Sequence, residues 1–134
     1  MSGAPRLAIG LGLRSGASCA AIMAVAEAAL QQARTLAPHA NFAGAGLFTV
    51  ESKCGEPGLS AAAERLARPL TFLPRRALAA EDSRVLTRST LAQTHYGVGS
   101  VAEAAALAGA GPDSVLLAPR LSGGGVTCAV AIAR

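Results

Sequence analysis

The chain has 134 residues, 51% hydrophobic and 15% charged, which is enough for one domain with a buried core and too apolar for a disordered segment. Only 3% of the residues are aromatic, and alanine, leucine and valine supply most of the apolar content, so the core is expected to be close packing of small side chains, as when helices lie on a sheet. The net charge of +4 comes from eleven arginines and a single lysine, Lys53, with Arg65, Arg68, Arg75, Arg76, Arg84 and Arg88 crowded into the middle; that suits a solvated basic face or a polyanionic partner, but the exposed aromatics or groove-reading helix of a nucleic-acid binder are not apparent.

In chain order, residues 6–11 read as a central strand, continuously apolar. The stretch 7–18 then breaks into glycines. Gly10, Gly12 and Gly16 permit positive φ or close approach of a ligand, and Arg14 and Ser18 add a cation and a hydroxyl beside the free amides of the next helix. On spacing alone this turn serves strand–helix packing and anion binding equally well. A helix follows over about 17–36, with Ile22, Val25, Ala26, Ala29, Ala33 and Leu36 on one stripe, and Pro38 stops it. The apolar run contains Glu27 and is too short to span a bilayer, so a cytoplasmic protein without a membrane partner is expected.

Residues 39–45 are a loop and 46–50 a second strand, joined to the first by a right-handed crossover. The polar loop 51–59 opens into a helix over about 60–67. It leaves the carboxyl end of its strand, as the glycine turn does, so the two loops are expected to face one site. A strand over 70–73, a short helix from Pro74 to about 80, and a helix capped by Asp82 or Ser83 running toward Tyr96 come next. Gly97 and Gly99 turn the chain into a capping box, in which Ser100 accepts from the N3 amide and Glu103 reaches back. Its helix buries Val101, Ala104, Ala105 and Ala108 and ends at 109–111. A strand over 114–118, a flexible loop over 119–125 and a last strand over 126–133 complete the chain, the final two pairing antiparallel. The expected fold is α/β, three layers, with a mixed and mostly parallel sheet of about five strands.

Chemistry is sparse. His39 and His95 lie near no recognisable nucleophile elbow, and Cys19, Cys54 and Cys128 suggest neither a disulfide framework nor a zinc site. No metal or cofactor is expected. Cys19 near a helix start suits a thiolate or simply a small core residue. Glu51 and Glu56 suit a carboxylate pair or ion-pair partners for Lys53. Gly123, Gly124 and Gly125 suit a closing loop or a slack hairpin turn.

Several segments in this order resemble one family. They are 10–16 (GLGLRSG), Lys53 with Glu56, Gly58 and Leu59, 97–107 (GVGSVAEAAAL) and 126–133 (VTCAVAIA). The chain resembles the cobalamin-biosynthesis family comprising CobE and the C-terminal domain of CbiG. It departs at Leu13, where cysteine is frequent, at Ser15, where a basic residue is common, and at Arg120, where lysine is usual. The resemblance implies a three-layer domain of corrin-ring assembly, with a corrinoid or precorrin intermediate as ligand and other enzymes of that pathway as possible partners. Lactone opening belongs to CbiG as a whole, so catalysis does not carry over directly. A ring edged with acetates and propionates would seek Arg14, Lys53, Arg120 and the glycine-turn amides. The candidate ligand-binding set is therefore Gly10, Gly12, Arg14, Gly16, Ser18, Lys53, Glu56, Gly97, Gly99, Ser100 and Arg120. The leading expectation is an auxiliary binder or carrier; the alternatives are a hydrolase acting on a precorrin lactone through Lys53, Glu56 or Ser18, and a nucleic-acid-binding module.

Overall fold

Strand β1 (Arg6–Leu13) runs through the middle of the sheet, and its residues 7–12 are buried because helices cover both faces. The computed structural model describes residues 6–133. On one side of β1 lie β2 (Gly46–Val50) and then β3 (Leu70–Leu73), all parallel, with Ile9 opposite Leu47 and Phe48 opposite Thr71. On the other side the last strand β6 (Val126–Ala133) pairs antiparallel along the whole of β1, from Arg6 opposite Ala133 to Leu13 opposite Val126. Strand β4 (Ser114–Leu116) and strand β5 (Leu121–Gly123) lie end to end along the outer edge of β6, both antiparallel to it. The fold is thus α/β with a mixed six-stranded sheet, its parallel half built by crossovers and its antiparallel half by the C-terminal strands.

Helices α1 (Cys19–Leu36) and α2 (Pro57–Leu66) cover one face. The Ser18 hydroxyl accepts the Ala21 N–H at 3.0 Å and starts α1 two residues later than predicted. The apolar stripe runs as expected through Ile22, Val25, Ala26, Ala29 and Ala33, with Leu30 added, but Leu36 lies beyond the sheet and is exposed. Pro57 fixes the first turn of α2 and brings it three residues earlier than predicted.

On the opposite face, α5 (Val101–Ala110) lies directly on β1, packing Ala102 and Ala106 against Ala8, Ala129 and Ala131. This contact requires glycine at position 10. A Cβ there would fall 1.9 Å from the Ala102 carbonyl oxygen and 2.5 Å from the Ala106 nitrogen. Helix α3 (Arg75–Ala79) adds Leu78 to a second cluster with Val50, Val98, Val101 and Ala104. No helix among the described residues is long and apolar enough to cross a membrane.

Two further segments differ from the sequence expectation. The helix predicted from Asp82 toward Tyr96 is instead a 3-10 turn (Asp82–Arg84), an irregular piece over 85–89 and a short helix α4 (Thr90–Tyr96). The amides of Leu86 and Thr87 donate to the Glu103 carboxylate, so they are unavailable to a helix ladder, and the Ser89 hydroxyl accepts the Ala92 N–H and caps a fresh start at Thr90. The loop predicted over 119–125 contains β5. Gly124 and Gly125, with φ of 58° and 80°, form a two-residue hairpin turn into β6.

The return from α4 is held by Asp82. Its Oδ1 accepts the Gly99 N–H at 2.8 Å, and the Arg88 guanidinium lies 3.2 Å away. The Gly99 amide, followed by the hydrogen bond and charge of Arg88, holds this carboxyl below the ordinary aspartate range, against the opposing pull of its own desolvation. A carboxyl whose folded pKa is depressed stabilises the fold above its unfolded pKa and loses that contribution as pH falls through the folded one. The stability difference between wild type and Asp82→Asn, read from urea midpoints, should therefore be largest near neutrality and shrink in acid. A difference that stays constant with pH would show that the Asp82 charge is not what holds Gly99.

Candidate functional site

An open cleft of about 630 Å³ lies where the carboxyl ends of β1 and β2 emerge. The end of β1 contributes Gly12 and Arg14, the β5–β6 hairpin contributes Ser122 and Thr127, and α4 contributes Leu91, His95 and Tyr96. Arg120 completes the rim before β5, and the buried residues Lys53 and Val101 line the interior. Among the described residues, no aspartate or glutamate lines it. The cleft size falls within the roughly 300–1,000 Å³ usual for small-molecule sites.

Lys53 ends the 3-10 turn (Glu51–Lys53) that follows β2, so the last turn of backbone before α2 drives its side chain inward. It is only 8% exposed, and among the described residues it has neither an ion-pair nor a side-chain hydrogen-bond partner. The carboxylates expected to pair with it are elsewhere. Glu56 accepts the Gly16 N–H at 2.8 Å, which ties the glycine turn to the start of α2 and joins the two loops expected to share a site. Arg14 and Arg120 likewise use no side-chain nitrogen on a protein acceptor among the described residues. By contrast, four arginines of the basic middle are engaged inside the fold. Arg68 donates to the carbonyls of Phe42 and Ala45, Arg75 to that of His95, Arg84 to Glu81 and the Ser114 carbonyl, and Arg88 to Asp82.

Of the candidate residues, Gly12, Arg14, Lys53 and Arg120 come together in this cleft. The others sit in supporting positions. Gly10 is pressed under α5, and Gly16 and Glu56 bond one another. Ser18 caps α1, so its hydroxyl and the Ala21 amide are used locally and not aimed at the cleft. Gly97 ends α4 with φ of 70°. Gly99 is held by Asp82 and by the Ser89 N–H, which reaches the Gly99 carbonyl at 2.7 Å. Ser100 is fully buried and caps α5.

The capping box forms only by half. Ser100 Oγ accepts the Glu103 N–H at 3.3 Å as expected, but the Glu103 carboxylate does not return to Ser100. It is fully buried and takes the N–H groups of Leu86 and Thr87 at 2.7 and 2.8 Å, the Thr87 hydroxyl at 2.8 Å and the Arg120 N–H at 2.9 Å. Glu103 thereby fixes the segment leading into α4 and the segment carrying Arg120, both of which line the cleft. The contributions of α4 and of Ser122 and Thr127 escaped the sequence reading, whereas the glycines at 123–125 were read there as a closing loop or a slack hairpin turn, and Gly124 and Gly125 form the hairpin turn.

The cysteines stand apart. Cys54 is exposed and Cys19, the first residue of α1, packs at the core edge. Burial pushes the Cys128 thiol up to about 12, leaving it inert within β6.

Residues 7–131 match the family described as Cobalamin synthesis G C-terminus. The sequence is similar to Protein CobE of Sinorhizobium sp., at 31% identity over 125 residues that cover 93% of this chain and 79% of that protein. Among solved structures it is similar to CobE, a protein from the cobalamin (vitamin B12) biosynthetic pathway, with a TM-score of 0.83, 32% identity and coverage of 97% and 92% of the two chains. It is also similar to cobalamin biosynthesis protein chiG from Agrobacterium tumefaciens, with a TM-score of 0.64, 33% identity and coverage of 95% and 98%.

Proposed function

Since this chain belongs to the cobalamin synthesis G C-terminus family, we propose that it serves cobalamin biosynthesis as an auxiliary protein, binding a corrinoid or precorrin intermediate in the cleft and carrying it between enzymes. The observation that carries this reading is Lys53, whose stem is buried and whose ammonium opens into the cleft with no protein acceptor among the described residues. A cation held in place by a packed stem and left without a protein partner is available to an anionic ligand. Arg14 and Arg120 at the rim extend the same positive field, while Leu91, Tyr96 and Val101 offer apolar contact. A tetrapyrrole-derived ring has both features, carboxylates around its edge and apolar faces. The residues that touch it are then Lys53, Arg14, Arg120 and Gly12, with Gly16, Glu56, Ser18, Gly97, Gly99 and Ser100 shaping the loops that present them.

The hydrolytic reading retains Lys53 in the cleft, whereas Ser18 and Glu56 are occupied outside it. Titration of the pure protein with hydrogenobyrinic acid, followed by visible absorption, separates the readings. A saturable change at micromolar ligand, with the chromophore recovered intact on denaturing the protein, is expected of a carrier. An unchanged spectrum counts against binding, and conversion of a precorrin lactone by this chain alone counts for the hydrolase.

A further inference from the structure

We infer that the cleft selects a ring whose side chains are still free acids and discriminates against the same ring carrying primary amides, so that release precedes the amide-forming reactions that consume the ligand. This rests on the corrinoid-binding reading and adds the chemical state of the ligand to it. Three side chains of the cleft are cationic, Arg14, Lys53 and Arg120, and none is acidic. Among the described residues, none of the three has a protein carboxylate within ion-pair distance, although Arg84 and Arg88 elsewhere do. The charge is therefore available to a ligand.

Lys53 makes the requirement sharp. A carboxylate reaching it supplies both a countercharge and acceptor lone pairs; a primary amide supplies one neutral acceptor and turns N–H donors toward a donor-only ammonium. The polar groups left to receive an amide are chiefly hydroxyls, those of Ser15, Ser89, Ser122, Thr127 and Tyr96. They accommodate an amide but do not neutralise three cations. At the exposed rim the same argument is weaker because water and salt screen Arg14. Selectivity is thus expected to reside mainly at Lys53 and to survive added salt better there than at the rim.

The test uses two probes, hydrogenobyrinic acid and the same ring with every side-chain carboxylate converted to a primary amide, each titrated into the wild-type protein and into Lys53→Met. Tighter binding of the acid by roughly 10- to 100-fold, the range of one or two charge-assisted contacts, and narrowing of that gap in Lys53→Met, support the inference. Circular dichroism of the variant separates loss of contact from loss of fold, and Arg120→Gln provides a second variant that must also narrow the gap. Equal affinities, or tighter binding of the amide, overturn the inference while leaving corrinoid binding intact. Failure of both rings to bind wild type overturns the reading beneath it and the inference with it.

Discussion

Glu103→Ala should lower the unfolding free energy by about 3–5 kcal/mol, the largest stability effect expected of any polar substitution in this chain. The carboxylate is fully buried and accepts three backbone N–H groups and one hydroxyl, from Leu86, Thr87 and Arg120. Removing it strands donors that have no alternative acceptor in the ladder, since 85–89 lies outside any helix or strand and Arg120 lies between strands. Each stranded donor costs about 1–3 kcal/mol, reduced where water enters the space left behind. Glu103→Gln keeps the volume and one acceptor oxygen but turns an NH2 group toward these N–H donors, so an intermediate loss of about 2 kcal/mol is expected. Urea midpoints measure both. A Glu103→Ala protein within about 1 kcal/mol of wild type would mean that the two loops are held by their other contacts.

Lys53→Met should leave stability nearly unchanged and act strongly on binding. Methionine keeps the length and the buried stem of the side chain and removes a charge that reaches the cleft and has no protein partner to lose among the described residues. Its stability should stay within about 1 kcal/mol of wild type. Binding of a carboxylate-edged ring should fall about 100-fold, or about 2.7 kcal/mol, because a charge-assisted contact in the cleft is lost. A residue whose removal spares the fold while disabling binding is kept for its ligand. Arg14→Ala, at the exposed rim, should weaken binding by only about tenfold or less and leave the fold intact. Destabilisation by Lys53→Met with unchanged ligand affinity would assign Lys53 a purely structural role.

Much of the architecture was legible because it is local. The periodicity of Ile22, Val25, Ala26, Ala29 and Ala33 and the apolar runs of β1, β2 and β6 each declare themselves within a few residues. Lys53 was legible for a different reason, as the one lysine among eleven arginines at the end of a parallel strand. The glycine turn was ambiguous, and its residues divide. Gly10 answers to the α5 backbone, Gly16 to the Glu56 carboxylate, and Gly12 lines the cleft.

What the sequence concealed is set by long-range bonds to backbone amides. Glu103 finds partners 16 and 17 residues away on either side in sequence, and these are N–H groups that every residue but proline carries, so no side-chain pattern marks them. That one carboxylate breaks the predicted 82–96 helix and sets the loop before β5. The short β5 has too little alternation to be read as a strand and is completed only by β6. The cleft walls are built from these two segments, which is why the cations were legible before the enclosure that gathers them.

Because Lys53 is the only lysine in the sequence, its side chain can be observed alone. Protein labelled with 13C at lysine Cε gives a single lysine side-chain resonance, and titration with hydrogenobyrinic acid should shift it saturably, with the same midpoint as the visible spectrum of the ring. An unmoved Lys53 resonance in protein whose ligand spectrum shows full occupancy would contradict recognition of the ring carboxylate by Lys53.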